Sequence, residues 1–207
     1  MSILKQLALT AAFWGLSIAA QAADVSNLQQ RWAQIHYEMP VKEQSKAYSL
    51  LADEARQLTQ ANPDSAPAHI WQGIILSSWA SAEGGLGALS KVKQARTELE
   101  KALRLEPNAL QGSAYTSLGA LYYQVPGWPI GFGDHDKAAE LLQKALALNP
   151  DGIDSNYFWA DYLIVQKRYA EAKAALLKAQ AAPPRPGREL ADKGRQQEIR
   201  ERLNTLE

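Results

Sequence analysis

Apolar residues recur along this chain in a spaced pattern that returns three times. It reads Ala95, Leu99 and Ala102 with Pro107 behind them, then Ala138, Leu142 and Ala145 with Pro150, then Ala172, Leu176 and Ala179 with Pro184. Steps of four and three put each trio on one helix face, and the proline falls just past the end, where it cannot continue the helix. Each such helix is preceded by another with a small residue in its middle: Gly73, Gly119 and Ala160. Around these stand His69, Gln72 and Leu76, then Tyr115, Leu118 and Tyr122, then Asn156, Trp159 and Leu163, at one common spacing. The pattern predicts an all-α fold of helix pairs, small residues facing large ones.

Recurrence of one unit is the signature of a repeat architecture. The spacing resembles the tetratricopeptide repeat (TPR) pattern W-x2-L-G-x2-Y…A-x3-F…P. The last unit, from Pro150 to Pro184, has that family's period of 34 residues. The resemblance implies a right-handed superhelical solenoid of helix hairpins whose concave face binds a partner. Repeats are assigned to about 64–107, 108–150 and 151–184, with a degenerate first repeat at 24–63 marked by Leu28, Trp32 and Ile35, then Tyr48, Leu51, Ala55 and Leu58. Two units exceed the period. The first surplus is placed in an enlarged hairpin turn over Ser81–Gly87, the second mainly around Val125–Gly133. After Pro183, Pro184 and Pro186, residues 187–206 carry Leu190, Ile199, Leu203 and Leu206 among charges, as expected of a helix capping the last repeat.

The first residues differ from the rest. Lys5 precedes an apolar run from Leu7 to Ile18, and Ala20-Gln21-Ala22 supplies small residues at a cleavage site before Ala23. Residues 1–22 therefore read as a signal peptide, the run falling short of the roughly 20 residues that span a bilayer. A periplasmic or otherwise exported domain over 23–207, with no transmembrane segment, is expected. The chain has no cysteine, which excludes lipid attachment at cysteine and disulfides. This layout is similar to that of the periplasmic TPR proteins related to the T component of TRAP-type transporters, which implies a carrier of a hydrophobic small ligand as the alternative to a scaffold for a protein or peptide. Lys plus Arg and Asp plus Glu are each 22, scattered rather than grouped, so no nucleic-acid partner is expected.

Candidate chemistry is sparse. His36, His69 and His135 fall in separate units, so no metal site, catalytic residue or cofactor is expected, and the enzyme reading ranks last. Within Gly133-Asp134-His135-Asp136, Asp134 sits where a helix cap belongs. By their spacing from Gly73, Gly119 and Ala160, the groove-lining positions that the TPR resemblance implies are Ile70, Ile74, Ser77, Thr116, Ala120, Tyr123, Tyr157, Asp161 and Ile164. None is Lys, Arg or Asn, so an apolar groove with a tyrosine rim is expected. Trp128 and Phe132 in the long loop are candidate contacts, either with a partner or back onto their own hairpin.

Overall fold

The computed structural model describes residues 25–206, so the expected signal peptide lies outside the described residues. Among these residues there are nine helices and no strand: α1 (25–37), α2 (Val41–Ala61), α3 (Ala66–Glu83), α4 (Gly85–Leu105), α5 (Ser113–Gln124), α6 (His135–Leu148), α7 (Ile153–Val165), α8 (Tyr169–Gln180) and α9 (Glu189–Asn204). Consecutive helices from α2 to α9 pack on one another, and α5 also touches both α3 and α7, so these three form an inner layer with α4, α6 and α8 outside it. The result is an all-α helical solenoid. No helix among the described residues is long and apolar enough to cross a membrane.

The repeated motif explains the pairing. Leu99, Leu142 and Leu176 are fully buried, as are the alanines three and four residues from each. A Cβ built on Gly73 would lie 2.6 Å from Leu99 Cγ, and one on Gly119 would lie 2.8 Å from Leu142 Cγ. Ala160 and Leu176 share the third core cluster. The large residue of each outer helix thus seats on the small residue of its inner partner, and close packing leaves no room for a side chain between them. Gly119→Leu is expected to cost about 1–3 kcal/mol by overpacking, read as a lower urea midpoint with unchanged slope.

Extra residues are handled differently in the two long units. Over Ser81–Gly87 the expected enlarged turn does not form. Ser81, Ala82 and Glu83 continue α3, Gly87 lies within α4, and Gly84 and Gly85, at φ 67° and 60°, turn the chain between them. Ala and Glu are good helix formers, and glycine takes positive φ without steric cost, so the surplus lengthens both helices. In the next unit, a 3-10 turn at Ala109–Gly112 with Leu110 and Gln111 at positive φ absorbs residues ahead of α5. The segment 125–134 is a true enlarged loop, tied down where Asp134 N donates to Tyr122 O (2.8 Å) and Gly133 N to Pro126 O (2.9 Å). Asp134 then caps α6, its side chain accepting from Lys137 N at 3.0 Å.

Helix α9 does more than cap. Ile199, Leu203 and Leu206 pack in the cluster of α7 and α8, as the sequence predicts. Its first half turns elsewhere: Ala191 is buried in the main cluster with α1 to α5, Leu190 packs against it, and Gly194 sits against the Tyr37 ring of α1. One helix therefore joins the last repeat to the first, across the concave side of the inner layer.

Candidate functional site: a pocket closed by the last helix

Between the inner layer and α9 lies a cavity of about 540 Å³. Its walls come from α1 and α2 (Trp32, Tyr48), α3 (Trp71, Ile74, Ser77), α5 (Thr116, Ala120, Leu121) and α7 (Asp154, Tyr157, Phe158, Asp161), with Arg185, Arg188, Arg195, Glu198 and Arg202 from α9 and the turn before it. Of the positions inferred from repeat spacing, Ile74, Ser77, Thr116, Ala120, Tyr157 and Asp161 line this cavity. Three do not. Ile70 is fully buried in the main core, and Ile164 packs in the cluster of α5 to α8. Tyr123 is buried beneath the wall, where its hydroxyl donates to Asp161 Oδ2 at 2.8 Å. Burial, reinforced by the Asp161 charge, pushes that phenol well above its usual value.

The expected apolar groove is a correction in another respect, because the wall supplied by α9 is charged. Arg185 bridges Asp154 (2.6 Å) and Asp192 (2.6 Å), Arg195 bridges Asp154 (2.9 Å) and Glu198, and Arg202 meets Asp161 at 2.9 Å. The Arg195 guanidinium also lies over the Tyr157 ring, 4.2 Å from its centroid. Burial alone would raise the Asp154 carboxyl, but the adjacent Arg195 and Arg185 more than offset it and hold it well below the usual carboxylate range. Arg188, Arg195 and Arg202 are seven residues apart, so they share one face of the helical segment. That periodicity is the sequence signal for the charged wall.

Histidines serve as joints. His69 Nδ1 meets Glu98 Oε2 (2.5 Å) and its Nε2 meets Pro63 O (2.9 Å), tying α3 to α4 and to the preceding turn. His36 Nδ1 meets the Tyr48 hydroxyl (2.9 Å), and Nε2 lies 3.5 Å from Glu198 on α9. His135 Nδ1 pairs with Gln166 at 2.7 Å. Among the described residues, no three His, Asp or Glu side chains are grouped as metal ligands would be.

The two loop candidates separate. Phe132 folds back, its ring 5.4 Å from Tyr122 and 4.4 Å from the Arg96 guanidinium. Trp128 points away, with 90% of its surface exposed, beside an Ile130 that is 63% exposed. Trp128→Ala is therefore expected to leave the melting temperature within about one degree, whereas Phe132→Ala loses about 2 kcal/mol, part of the cost of a fully buried aromatic. Thermal denaturation of the two variants side by side checks the pair.

A solenoid of helix hairpins with a small residue of one helix seated under a leucine of the next resembles the TPR architecture. The family model described as tetratricopeptide repeat matches residues 130–191, the stretch that contains α6, α7 and α8. Among solved structures, a thermophilic TPR protein from Thermus thermophilus is similar in fold, with a TM-score of 0.59, 97% of each chain covered and 18% sequence identity. No curated protein matches the chain in sequence.

Proposed function

We propose that the protein is an exported, non-catalytic binding protein whose occupant lodges in the pocket between the inner helices and α9. The observation that carries this reading is the closure itself. Helix α9 crosses the concave side, so the space left is a half-enclosed pocket of about 540 Å³ rather than a trough open along its whole length. That volume falls within the roughly 300–1,000 Å³ typical of small-molecule sites, and the mixture of Trp32, Ile74, Tyr157 and Phe158 with a few charged groups suits an apolar body with a polar end. A carrier of a hydrophobic small ligand, the role implied by the likeness to TRAP-related T components, is thus favoured over a long peptide laid along the groove. Export rests on the signal-peptide pattern of residues 1–22.

A second reading has its own support. TPR folds serve protein interaction, and the exposed Trp128 and Ile130 are the kind of anchor a protein partner covers. Native mass spectrometry of protein purified from the exported fraction separates the two, with Ala120→Trp filling the pocket and Trp128→Ala removing the loop anchor. The carrier reading expects a small bound species in the wild type that is lost in Ala120→Trp and kept in Trp128→Ala. A bound polypeptide, retained in Ala120→Trp and lost in Trp128→Ala, would replace it with the scaffold reading.

A further inference from the structure

Four guanidinium groups face the pocket, and three are neutralised where they stand. Arg185 has Asp154 and Asp192, Arg195 has Asp154 and Glu198, and Arg202 has Asp161. Arg188 differs. Among the described residues its side chain has no carboxylate in ion-pair reach, and its buried Nε has no hydrogen-bond acceptor. It lies over the Trp71 ring, 5.0 Å from the centroid. Trp71 is only 3% exposed, and its indole N–H also finds no acceptor among the described residues. The neighbouring indole shows the ordinary arrangement: Trp32 Nε1 donates to Ser78 Oγ at 2.8 Å. Buried donors are nearly always met, so two adjoining unmet ones at a cavity wall mark a place built for an acceptor from outside. Burial, with the Arg185 charge beside it, lowers the pKa of the Arg188 guanidinium, and the more distant Asp154 and Asp192 oppose the shift without cancelling it.

We infer that Arg188 is the carboxylate subsite of the pocket, and that its ligand is a small amphiphilic monoanion. The inference rests on the pocket-binding reading above. The planar guanidinium offers paired N–H donors to a carboxylate, and stacking on Trp71 holds it in place. The ligand's apolar body lies against Ile74, Ala120, Leu121, Tyr157 and Phe158. Asp154, Asp161 and Glu198 are already paired with Arg185, Arg195 and Arg202, so a second negative charge on the ligand finds no free counter-charge to offset its desolvation. The site therefore selects a monocarboxylate over a dicarboxylate or a phosphate dianion.

Decanoate, decanamide and the dianion sebacate share a chain length and differ in the head group, so titrating each into the full chain by calorimetry isolates the charge. The indole N–H resonances report on Trp71. Decanoate is expected to bind about tenfold or more tightly than decanamide, the scale of a charge-assisted hydrogen bond, and more tightly than sebacate. That preference disappears in Arg188→Gln and is only partly kept in Arg188→Lys, which retains the charge without the paired donors. Equal affinity for decanoate and decanamide, no decanoate binding to the wild type, or an undiminished preference in Arg188→Gln overturns the subsite. Sebacate binding as tightly as decanoate overturns the restriction to monoanions. The wild-type comparison needs no variant, so it decides the matter even where Arg188→Gln fails to fold. If decanoate and decanamide bind Ala120→Trp as they bind the wild type, the pocket reading itself falls, separately from the role of Arg188.

Discussion

Asp154→Ala is expected to destabilise the protein by about 2–4 kcal/mol, the lower part of the range for breaking a buried ion pair, because Asp154 itself retains some exposure. Its carboxylate is the hinge of the charged wall, accepting from Arg185 Nη1 at 2.6 Å and Arg195 Nε at 2.9 Å. The Arg195 side chain is only 9% exposed, so after the substitution a nearly buried guanidinium keeps Glu198 as its remaining partner. The loss must depend on pH in a definite direction. Burial would raise both carboxyls, yet Arg195 and Arg185 prevail at Asp154, and the His36 hydrogen bond and Arg195 prevail at Glu198, so both lie below their ordinary values in the folded protein. Groups depressed by folding contribute fully above their unfolded pKa of about 4 and lose that contribution as pH falls through the folded value. The stability gap between wild type and Asp154→Ala is therefore expected to be constant from neutral pH to about pH 5 and to close as pH falls below about 4. Urea unfolding at a series of pH values measures it, and a gap that widened on acidification would contradict the network as described.

Gly194→Leu is the second large effect. A Cβ at this position would clash with three atoms of the Tyr37 ring, so a leucine cannot be accommodated while α9 rests on α1. Overpacking of this kind costs about 1–3 kcal/mol. Its expected form is local: the start of α9 lifts from α1, while Ile199 and Leu203 keep the end of the helix on α7 and α8. Limited proteolysis is expected to cut the variant near Pro186–Arg188 and spare α2 to α8. Cleavage spread evenly through the chain would indicate instead that α9 and the repeats unfold as one unit.

Much of this architecture is legible in the residue pattern, for physical reasons that can be named. The alternation of small and large residues at Gly73 and Leu99, and again at Gly119 and Leu142, states which helices pair, because only that combination lets two backbones approach so closely. From the same register, Ile74, Ser77, Thr116, Ala120, Tyr157 and Asp161 fall on the concave side, where the pocket is found. Helical periodicity describes one element at a time, and this is where the reading stops. It assigns Leu190, Ile199 and Leu203 to a single apolar stripe, yet Leu190 packs on the main cluster and the other two on the last repeat. Nothing in a stripe says that its two ends meet different partners. The charged wall follows from that placement, so the arginines at 188, 195 and 202 were legible as a face but not as part of the pocket. Similarly, Gly84 and Gly85 mark where the chain turns without saying how far the helices on either side run. Trp128 and Phe132 share a loop and a chemistry, and only the loop's backbone hydrogen bonds and packing separate the exposed ring from the packed one.

The pocket exists because α9 lies across the concave side and rests on the first helix, so the docking of α9 is the point on which the account turns. Hydrogen exchange of the full chain, resolved by peptide, tests it most directly. Amides of residues 190–199 are expected to exchange as slowly as those of α7, and Gly194→Leu is expected to speed them selectively. Exchange across 190–199 at the rate of an unfolded chain, with α2 to α8 still protected, would mean that the helix does not close the superhelix and that the concave face is an open groove.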